Sequence, residues 1–593
     1  MSGFVVLVER GGRPIDPTLL DRLTATLAFR GPDGSSTHIV GPAGLGATIL
    51  RTTEDTRPET QPLSLDGECW IVGQVRLDAR TDLRAELARA GERAAPDTPD
   101  LELLLLAWRV WGTDSLPRLY GDLSFALWDN RSSTLAAGRD AAGVRQLYWA
   151  EASGSVLLGN TLKCLLSHPD ISNRLDPAAV GSWLAFGQMD TAEATFFPAV
   201  RRVPPAHLLT WRRESGVEVS RYWSLPVDGR LRISRPEEEI ESFRTLFTAA
   251  VSDRIRTRGL GAHLSGGLDS SSIAVTAQRL IRDSPNPGKL RCYTGEYRHL
   301  ILDEEGEYAA LIARHAGLDQ LRVPLDDLLS HPPIAPPHFL SPEPGTIPEL
   351  NPESFMLADL VRFGRVMLSG SGGDPLFTRP QRPLVTLMRR GGLAGTVNAI
   401  RNCLAIGARP ALAIRASLGI QAGTLRKPSD LPAFIRMEPA AWQRLVTINQ
   451  RTWRDRATAE PSRLMLESTN ASALFTAFDS ESTGYPVEYR FPLYDRRIIE
   501  HLRDLSPIPW RTGKTLLRRT MAGQLPVEIL ARHKTVMPSS MMPRLERLAR
   551  AQDWFQKLVS APQLEPFVDP GIIADWLESG APDFVGRVAL FRV

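Results

Sequence analysis

Cysteine is scarce in this chain. Four occur in 593 residues, Cys69, Cys164, Cys292 and Cys403, and their wide separation excludes a disulfide framework and any short metal-ligand spacing. Such dilute use fits a reducing compartment. Long apolar runs are missing as well. No stretch of about 18 apolar residues free of charge occurs, and the N-terminus, MSGFVVLVERGG, has no basic segment ahead of its apolar one. Neither a membrane span nor a secretory signal is therefore expected, and a cytoplasmic protein is. An excess of charge is also lacking: 70 Lys+Arg against 67 Asp+Glu leave a formal +3, too little to imply whole-chain affinity for nucleic acid. What remains is ordinary for a soluble protein, 43% hydrophobic and 23% charged, which excludes a mainly disordered, collagen-like or coiled-coil chain. At roughly 100–200 residues per domain the length allows three to six domains, or two or three large α/β ones.

The pattern along the chain separates two regions. In the first, GFVVLV (3–8), CWIVGQVRL (69–77), LSFALWD (123–129), STLAAGRD (133–140), LYWA (147–150) and VLLG (156–159) read as strands. Leu19–Leu27 and DLELLLLAWRVW (100–111) read as helices. This strand-rich domain is expected to span 1–210. A link over 211–238 follows, carried by the polar, turn-rich LPVDGRLRISRPEEE (225–239). From 239 to 593 strands alternate with helices: GAHL (261–264), SSIAVTAQRLI, LRCYTG (290–295), EEGEYAALIARHAG (304–317) and LRVPL (321–325). That alternation predicts a parallel sheet. HPPIAPPHFLSPEPG (331–345) reads as a loop, because its prolines exclude a helix interior or a central strand. From Pro375 to Ser429 no acidic residue occurs while nine basic ones do. This part of a helical 375–480 region reads either as surface paired with acidic loops elsewhere or as a docking face for an anionic or peptide partner.

Four segments carry chemistry. Ser265-Gly266-Gly267-Leu268-Asp269-Ser270-Ser271 lies between a predicted strand and a predicted helix. Its glycines allow a sharp turn and close backbone approach, and the helix start offers free N–H groups to phosphate oxygens. Asp269 would repel phosphate unless a cation lay between, so it is a candidate Mg²⁺ ligand, the alternative being a simple helix cap. The pattern is not a Walker A loop. Ser369-Gly370-Ser371-Gly372-Gly373-Asp374 repeats the strand-to-Gly-rich-turn design after VRFGRVML. On one parallel sheet the two turns would face one crevice, with Asp269 and Asp374 sharing Mg²⁺ on ATP. Arg532-His533-Lys534-Thr535, preceded by Gly513-Lys514-Thr515, supplies cations. Lys534 is the candidate to neutralise departing pyrophosphate and Lys514 a candidate phosphate ligand, and a solvated basic patch is the alternative for both. Glu488-Tyr489-Arg490-Phe491-Pro492-Leu493-Tyr494-Asp495 alternates charge with apolar residues, as expected of a buried ion-pair network that orders a site.

Together these segments resemble the asparagine synthetase superfamily, over nearly the whole chain. Ser265–Ser271 resembles its ATP-pyrophosphatase loop, Gly370–Phe377 its second Gly-Gly-Asp segment, and 488–495 with 513–534 its C-terminal signature ending in the catalytic lysine, here Lys534. Arg30–Gly34, Gln61-Pro62-Leu63, Gly121–Asp129 and Arg139-Asp140 with Gly143 and Leu147-Tyr148 resemble its glutamine-hydrolysing domain. The implied fold is an α/β multidomain one: an N-terminal Ntn-hydrolase-like sandwich and a C-terminal PP-loop ATP-pyrophosphatase domain with a parallel sheet and added helices. ATP and Mg²⁺ are the implied cofactors. Ser265, Gly266, Gly267, Asp269, Ser270, Ser271, Gly372, Gly373, Lys514 and Lys534 are the implied nucleotide site, with the adenine at the strand edge near Tyr293 and Thr294.

The departures from that family narrow the expected function. Its glutaminase uses a cysteine directly after the initiator methionine, and here Ser2 and Gly3 follow. Its Asn-Gly-Glu segment is replaced by Val72-Gly73-Gln74-Val75-Arg76. These departures lead to the expectation that ammonia is not made here and that the nitrogen comes from an amine already on the substrate. That pattern is similar to the β-lactam synthetases and, more closely, to the lasso peptide cyclases. The latter adenylate an Asp or Glu side chain of a precursor peptide, which its own N-terminal amine then attacks. An α-amine with a pKa of about 7.7–8.0 is partly unprotonated near neutral pH. Ser371 stands where asparagine synthetases have Glu and β-lactam synthetases Tyr, removing the general base or anchor of both. The expectation is an ATP-dependent, AMP-forming macrolactam ligase, with a precursor peptide as partner and a leader peptidase and leader-recognition protein beside it. A small-molecule amide synthetase, or a glutamine- or ammonia-using asparagine synthase, is the alternative.

Overall fold

The computed structural model describes residues 2–226, 229–285, 287–299, 304–326, 341–343, 352–408, 433–458, 460–467, 469–532 and 561–580, with scattered positions between 550 and 557. The first half builds two six-stranded antiparallel sheets. One runs, edge to edge, Val200–Arg202, Tyr148–Ala152, Ser155–Gly159, Gly3–Glu9, Ala43–Thr48 and Ser35–Val40. The other runs Gly216–Arg221, His207–Arg212, Thr134–Arg139, Gly121–Asp129, Cys69–Leu77 and Leu63–Ser64.

The apolar run at the N-terminus is buried on both faces, which explains its lack of alternation. Phe4, Val6 and Val8 pack inward against Val72, Ala126 and Trp128 of the facing sheet. Val5 and Leu7 pack outward on Leu20 and Leu23 of the Pro17–Ala25 helix. On the far side Phe125 and Leu127 meet Leu103 and Leu104 of the Asp100–Trp111 helix. The result is a helix–sheet–sheet–helix sandwich. Residues 211–221, read as the start of the link, instead complete the Trp211–Arg212 strand end and the Gly216–Arg221 edge strand, whose partner is His207–Arg212. Their polar composition is that of a strand with one wet face.

The second half holds a five-stranded parallel sheet, edge to edge Asp319–Pro324, Lys289–Glu296, Gly259–His263, Val366–Leu368 and Glu488–Arg490. Chain order therefore grows outward from Gly259–His263 in one direction and then restarts on its other side. Between Gly259–His263 and Val366–Leu368 lies a topological switch point, the place where α/β sheets open a crevice beyond their strand ends. The Leu268–Arg282, Glu305–Ala316 and Pro352–Leu360 helices cover this sheet. The 375–480 region is helical where described, with Pro383–Ala405, Pro439–Thr458, Pro461–Glu467 and Thr469–Ala477. Residues 409–429 of the basic run, and 331–340 and 344–345 of the Pro-rich loop, lie outside the described residues.

Candidate active site

Both Gly-rich turns emerge at the switch point. After Gly259–His263 the chain turns through Gly266, whose φ is +69°, and enters the Leu268–Arg282 helix. A Cβ on Gly266 would lie 2.7 Å from the Glu305 carbonyl oxygen and from Tyr308 Cβ, so only glycine lets the loop rest on that neighbouring helix. The Ser265 N–H donates to Ser270 Oγ at 3.2 Å, and the two hydroxyl oxygens lie 3.0 Å apart. Ser271 Oγ donates to the Gly267 carbonyl at 2.5 Å. Hydroxyls and first-turn N–H groups thus surround one helix start, with Asp269 in that first turn.

The second turn leaves Val366–Leu368 with the Ser369 N–H donating to the Arg490 carbonyl at 3.0 Å. Ser369 Oγ donates to Ser371 Oγ at 3.0 Å, and Gly372 takes φ +100°. The two turns touch through their glycines. A Cβ on Gly370 would lie 2.8 Å from Ser270 N, and one on Gly373 only 2.2 Å from Asp269 Cγ.

Lys514 joins them. Its ammonium lies 2.7 Å from Asp374 Oδ1 and pairs also with Asp269 Oδ2. It does so from a left-handed backbone, φ +58°, a conformation that non-glycine residues hold mainly where the surroundings impose it. From sequence, Lys514 reads as a phosphate ligand; in the fold its charge sits between two carboxylates. Asp269 and Asp374 therefore converge on one cation position, and two carboxylates that complete their shell with phosphate oxygens suit Mg²⁺. Among the described residues no cluster of three or more His, Cys, Asp or Glu forms a metal site, so such an ion would need nucleotide oxygens.

Arg532 donates from Nη1 to the Gly266 carbonyl at 3.0 Å and lies 4.2 Å over the Tyr308 ring. The segment leading to the predicted lysine is thereby fixed to the first turn, while Lys534 itself lies outside the described residues. Tyr293 and Thr294 are buried. Tyr293 donates its hydroxyl to Asp359 at 2.9 Å, and Thr294 Oγ1 donates to the Leu264 carbonyl at 2.6 Å. Both side chains are engaged inside the fold.

In the N-terminal sandwich, Ser2 is buried, and its hydroxyl oxygen accepts the Leu50 N–H at 3.1 Å. It borders a cavity of about 140 Å³ shared with Glu59, Gln74, Arg76, Asp100 and Glu488. Burial, with Asp100 and Glu488 nearby, pushes the Glu59 carboxyl up to about 7. No cysteine lines this cavity, and burial pushes the Cys69 thiol up to about 12. At the wall of the cavity, through Glu488, the predicted ion-pair network is present. Glu488 pairs with Arg490 at 2.6 Å and Arg145 at 3.2 Å. Burial raises its pKa, but Arg490 and Arg145 outweigh burial and hold it well below the usual range.

One polar cluster was not visible in the sequence. His263 Nε2 lies 2.8 Å from Glu353 Oε1, and the Tyr489 hydroxyl donates to that same oxygen at 2.7 Å. The available signal was a histidine in an otherwise apolar strand, two residues ahead of Ser265. Its partners are about 90 and 226 residues away in the chain, as the bonded positions show, and only the packing of the Pro352–Leu360 helix on the sheet and the order of its strands unite them.

Comparison with known proteins places this geometry. The asparagine synthase family matches residues 242–586, and the glutamine amidotransferase domain matches residues 1–223. "Asparagine synthetase [glutamine-hydrolyzing] 3" of Bacillus subtilis is 31% identical over 283 residues, covering 47% of this chain and 45% of that protein. "Amidase chyE" of Penicillium rubens is 28% identical over 368 residues, covering 59% and 53%. The chain thus spans about half the length of these curated relatives. The glutamine phosphoribosylpyrophosphate amidotransferase structure from B. subtilis, complexed with ADP and GMP, covers 72% of this chain and 94% of its own at 15% identity, with a TM-score of 0.28. With an N-terminal glutamine amidotransferase sandwich and a C-terminal parallel-sheet synthase domain, the chain belongs to the asparagine synthase family.

Proposed function

We propose that this chain is an ATP-dependent, AMP-forming amide ligase that closes a macrolactam in a lasso-type precursor peptide. The observation that carries the ligase reading is the meeting of the two Gly-rich turns at the switch point, with Asp269 and Asp374 converging on one cation position. Ser265, Ser270, Ser271 and the N–H groups of Gly266, Gly267 and the helix start hold the phosphates. Gly372 and Gly373 bring the second turn within reach of them. Mg²⁺, when bound through Asp269 and Asp374, supplies charge neutralisation on the phosphate oxygens. Lys514 then turns to the phosphates, and Lys534 receives the departing pyrophosphate. The substrate carboxylate attacks the α-phosphorus, and the substrate's own amine attacks the resulting acyl-adenylate.

Ser2 supports an amine supplied by the substrate, because the position of the family's thiol carries a buried hydroxyl bonded to backbone. The Pro383–Ala405 helix supports a peptide substrate: Leu393, Val397 and Leu404 stand exposed on it, and Arg401 lies on the same helix. A leader peptidase and a leader-recognition protein are the proposed partners, in the cytoplasm. Among the described residues no helix is long and apolar enough to cross a membrane.

The test is mass spectrometry of the chain with ATP, Mg²⁺ and a leader-free peptide carrying an internal Asp or Glu. Loss of one water from the peptide, matched by AMP, is expected. The named relatives favour a second reading, asparagine formation. AMP released with aspartate and ammonia or glutamine, and no peptide change, would replace the first reading with that one.

A further inference from the structure

Building on the ligase reading, we propose that His263 is the proton acceptor for the attacking amine, with Glu353 and Tyr489 as its positioning residues. Ser371 leaves the second turn without the Glu or Tyr that the sequence comparison expects there. Its hydroxyl oxygen instead accepts from Ser369. The His263 cluster stands beside that turn. The register that pairs Ala262 with Leu368 puts His263 level with Ser369, one strand spacing of about 4.8 Å away. His263 also lies two residues ahead of Ser265, at the C-terminal edge of the sheet where the crevice opens.

Strand alternation turns His263 to the face opposite Ala262 and Leu264, the face covered by the Pro352–Leu360 helix. Two strands on that face contact this helix differently. Tyr293 and Arg291 both bond Asp359, so a permanent cation neutralises that carboxylate in a closed structural pairing. At Glu353 the partner is an imidazole, a group that can both donate and accept a proton. Burial raises the Glu353 pKa, but His263 and Tyr489 outweigh burial and hold it below the usual range. Exposure is graded along the cluster: Tyr489 is 1% exposed, the Glu353 side chain 13% and the His263 side chain 20%. The buried end is the hydroxyl that orients, and the accessible end is the base.

Glu353, 2.8 Å from Nε2, orients the imidazole and balances the positive charge the ring gains when it takes up a proton. In the step, the amine nitrogen bonds the acyl carbon, its proton passes to the His263 imidazole, and the carbon–oxygen bond to phosphate breaks with AMP leaving as the anion. Glu353 stabilises the imidazolium, which then returns its proton to water.

Full-length wild type, His263→Ala and Glu353→Gln are compared with ATP, Mg²⁺ and peptide. Three readouts are taken: ATP–pyrophosphate exchange for adenylation, hydroxamate formation with hydroxylamine, and amide product by mass. Hydroxylamine is unprotonated at neutral pH and needs no base. His263→Ala is expected to keep exchange and hydroxamate within about twofold while amide formation falls by about 10²–10⁴, with partial rescue by added imidazole. Glu353→Gln should lower amide turnover but not hydroxamate. If alanine prevents folding, His263→Gln keeps an N–H toward Glu353 yet cannot accept a proton, and the same split is required of it. Unchanged amide formation, or parallel loss of all three readouts, would overturn the assignment. Absence of exchange in the wild type would overturn the ligase reading instead, and this proposal with it.

Discussion

At the residue scale the site depends on what is small and on what is charged. Gly373 is a spacing requirement: alanine would put its Cβ 2.2 Å from Asp269 Cγ. Gly373→Ala should therefore displace the carboxylate and cut ATP–pyrophosphate exchange by about 10²-fold, since a misplacement near 1 Å has that effect. The circular dichroism spectrum should stay native, and near-wild-type exchange would show that the two turns need not touch. Lys514 allows a different test. Its ammonium occupies the position between Asp269 and Asp374, so Lys514→Met removes a cation from between two facing carboxylates. Mg²⁺ alone should then raise the melting temperature of this variant more than that of wild type, because the ion binds the folded state only. Exchange should fall by about 10²–10³-fold, as for loss of one charge stabiliser. Equal Mg²⁺ shifts would remove the two carboxylates from the metal role. Asp269 and Asp374 were legible because each sits inside a local motif. The contact of Lys514 with both was not, because 245 positions separate it from Asp269.

At the scale of elements, periodicity read well where one rule governed. CWIVGQVRL and DLELLLLAWRVW match the observed strand Cys69–Leu77 and helix Asp100–Trp111 residue for residue. The Gly216–Arg221 strand was missed, because an edge strand with polar side chains on its wet face has the composition of a loop. Strand order was beyond reach of any local pattern, yet it is what makes the switch point. The short Ser480–Thr483 helix shows how elements from the two halves meet. Glu481 on it accepts N–H groups from Leu162 at 3.3 Å and Lys163 at 2.8 Å, at the start of the Leu162–Leu166 helix. Burial pushes its carboxyl from an ordinary 4.5 up to about 7, against the opposing pull of Arg30. A raised carboxyl pKa favours the fold while the group is protonated, and that stability is lost as pH rises from the unfolded value through 7. Glu481→Gln should match wild type near pH 4 and exceed it above pH 8, by at most about 3 kcal/mol for a shift of this size. Urea midpoints across that range measure it. A difference independent of pH would mean that Glu481 is ionised throughout.

At the scale of the molecule, buried charge crosses between the sandwich and the synthase domain. Arg254 reaches Asp78 at 3.2 Å and Asp495 at 2.8 Å, and Arg76 reaches Asp122 at 2.9 Å. The alternating charges of Glu488–Asp495 announced such a network, but not that Glu488 pairs with Arg145 in the other half of the chain. A buried pair is weak evidence for net stability, since desolvation offsets attraction, yet removing one member leaves the other stranded. Arg254→Met should accordingly destabilise by about 3–5 kcal/mol at neutral pH. The pH dependence separates stranded charge from lost packing. Burial raises the Asp78 pKa, but Arg254 and Arg76 outweigh it and hold the carboxyl far below its usual range. A depressed carboxyl pKa contributes stability above the unfolded value, about 3.9, and that contribution fades as pH falls toward the folded one. Wild type should therefore lose stability steeply below about pH 4, where unfolded Asp78 takes up its proton first. In Arg254→Met the carboxyl is no longer held down so far, so the curve should be shallower and the gap to wild type should narrow with acid. Denaturant midpoints of the first unfolding transition from pH 7 to pH 3 test this. Parallel curves would assign the role of Arg254 to packing, and the two halves would then be joined by shape rather than by charge.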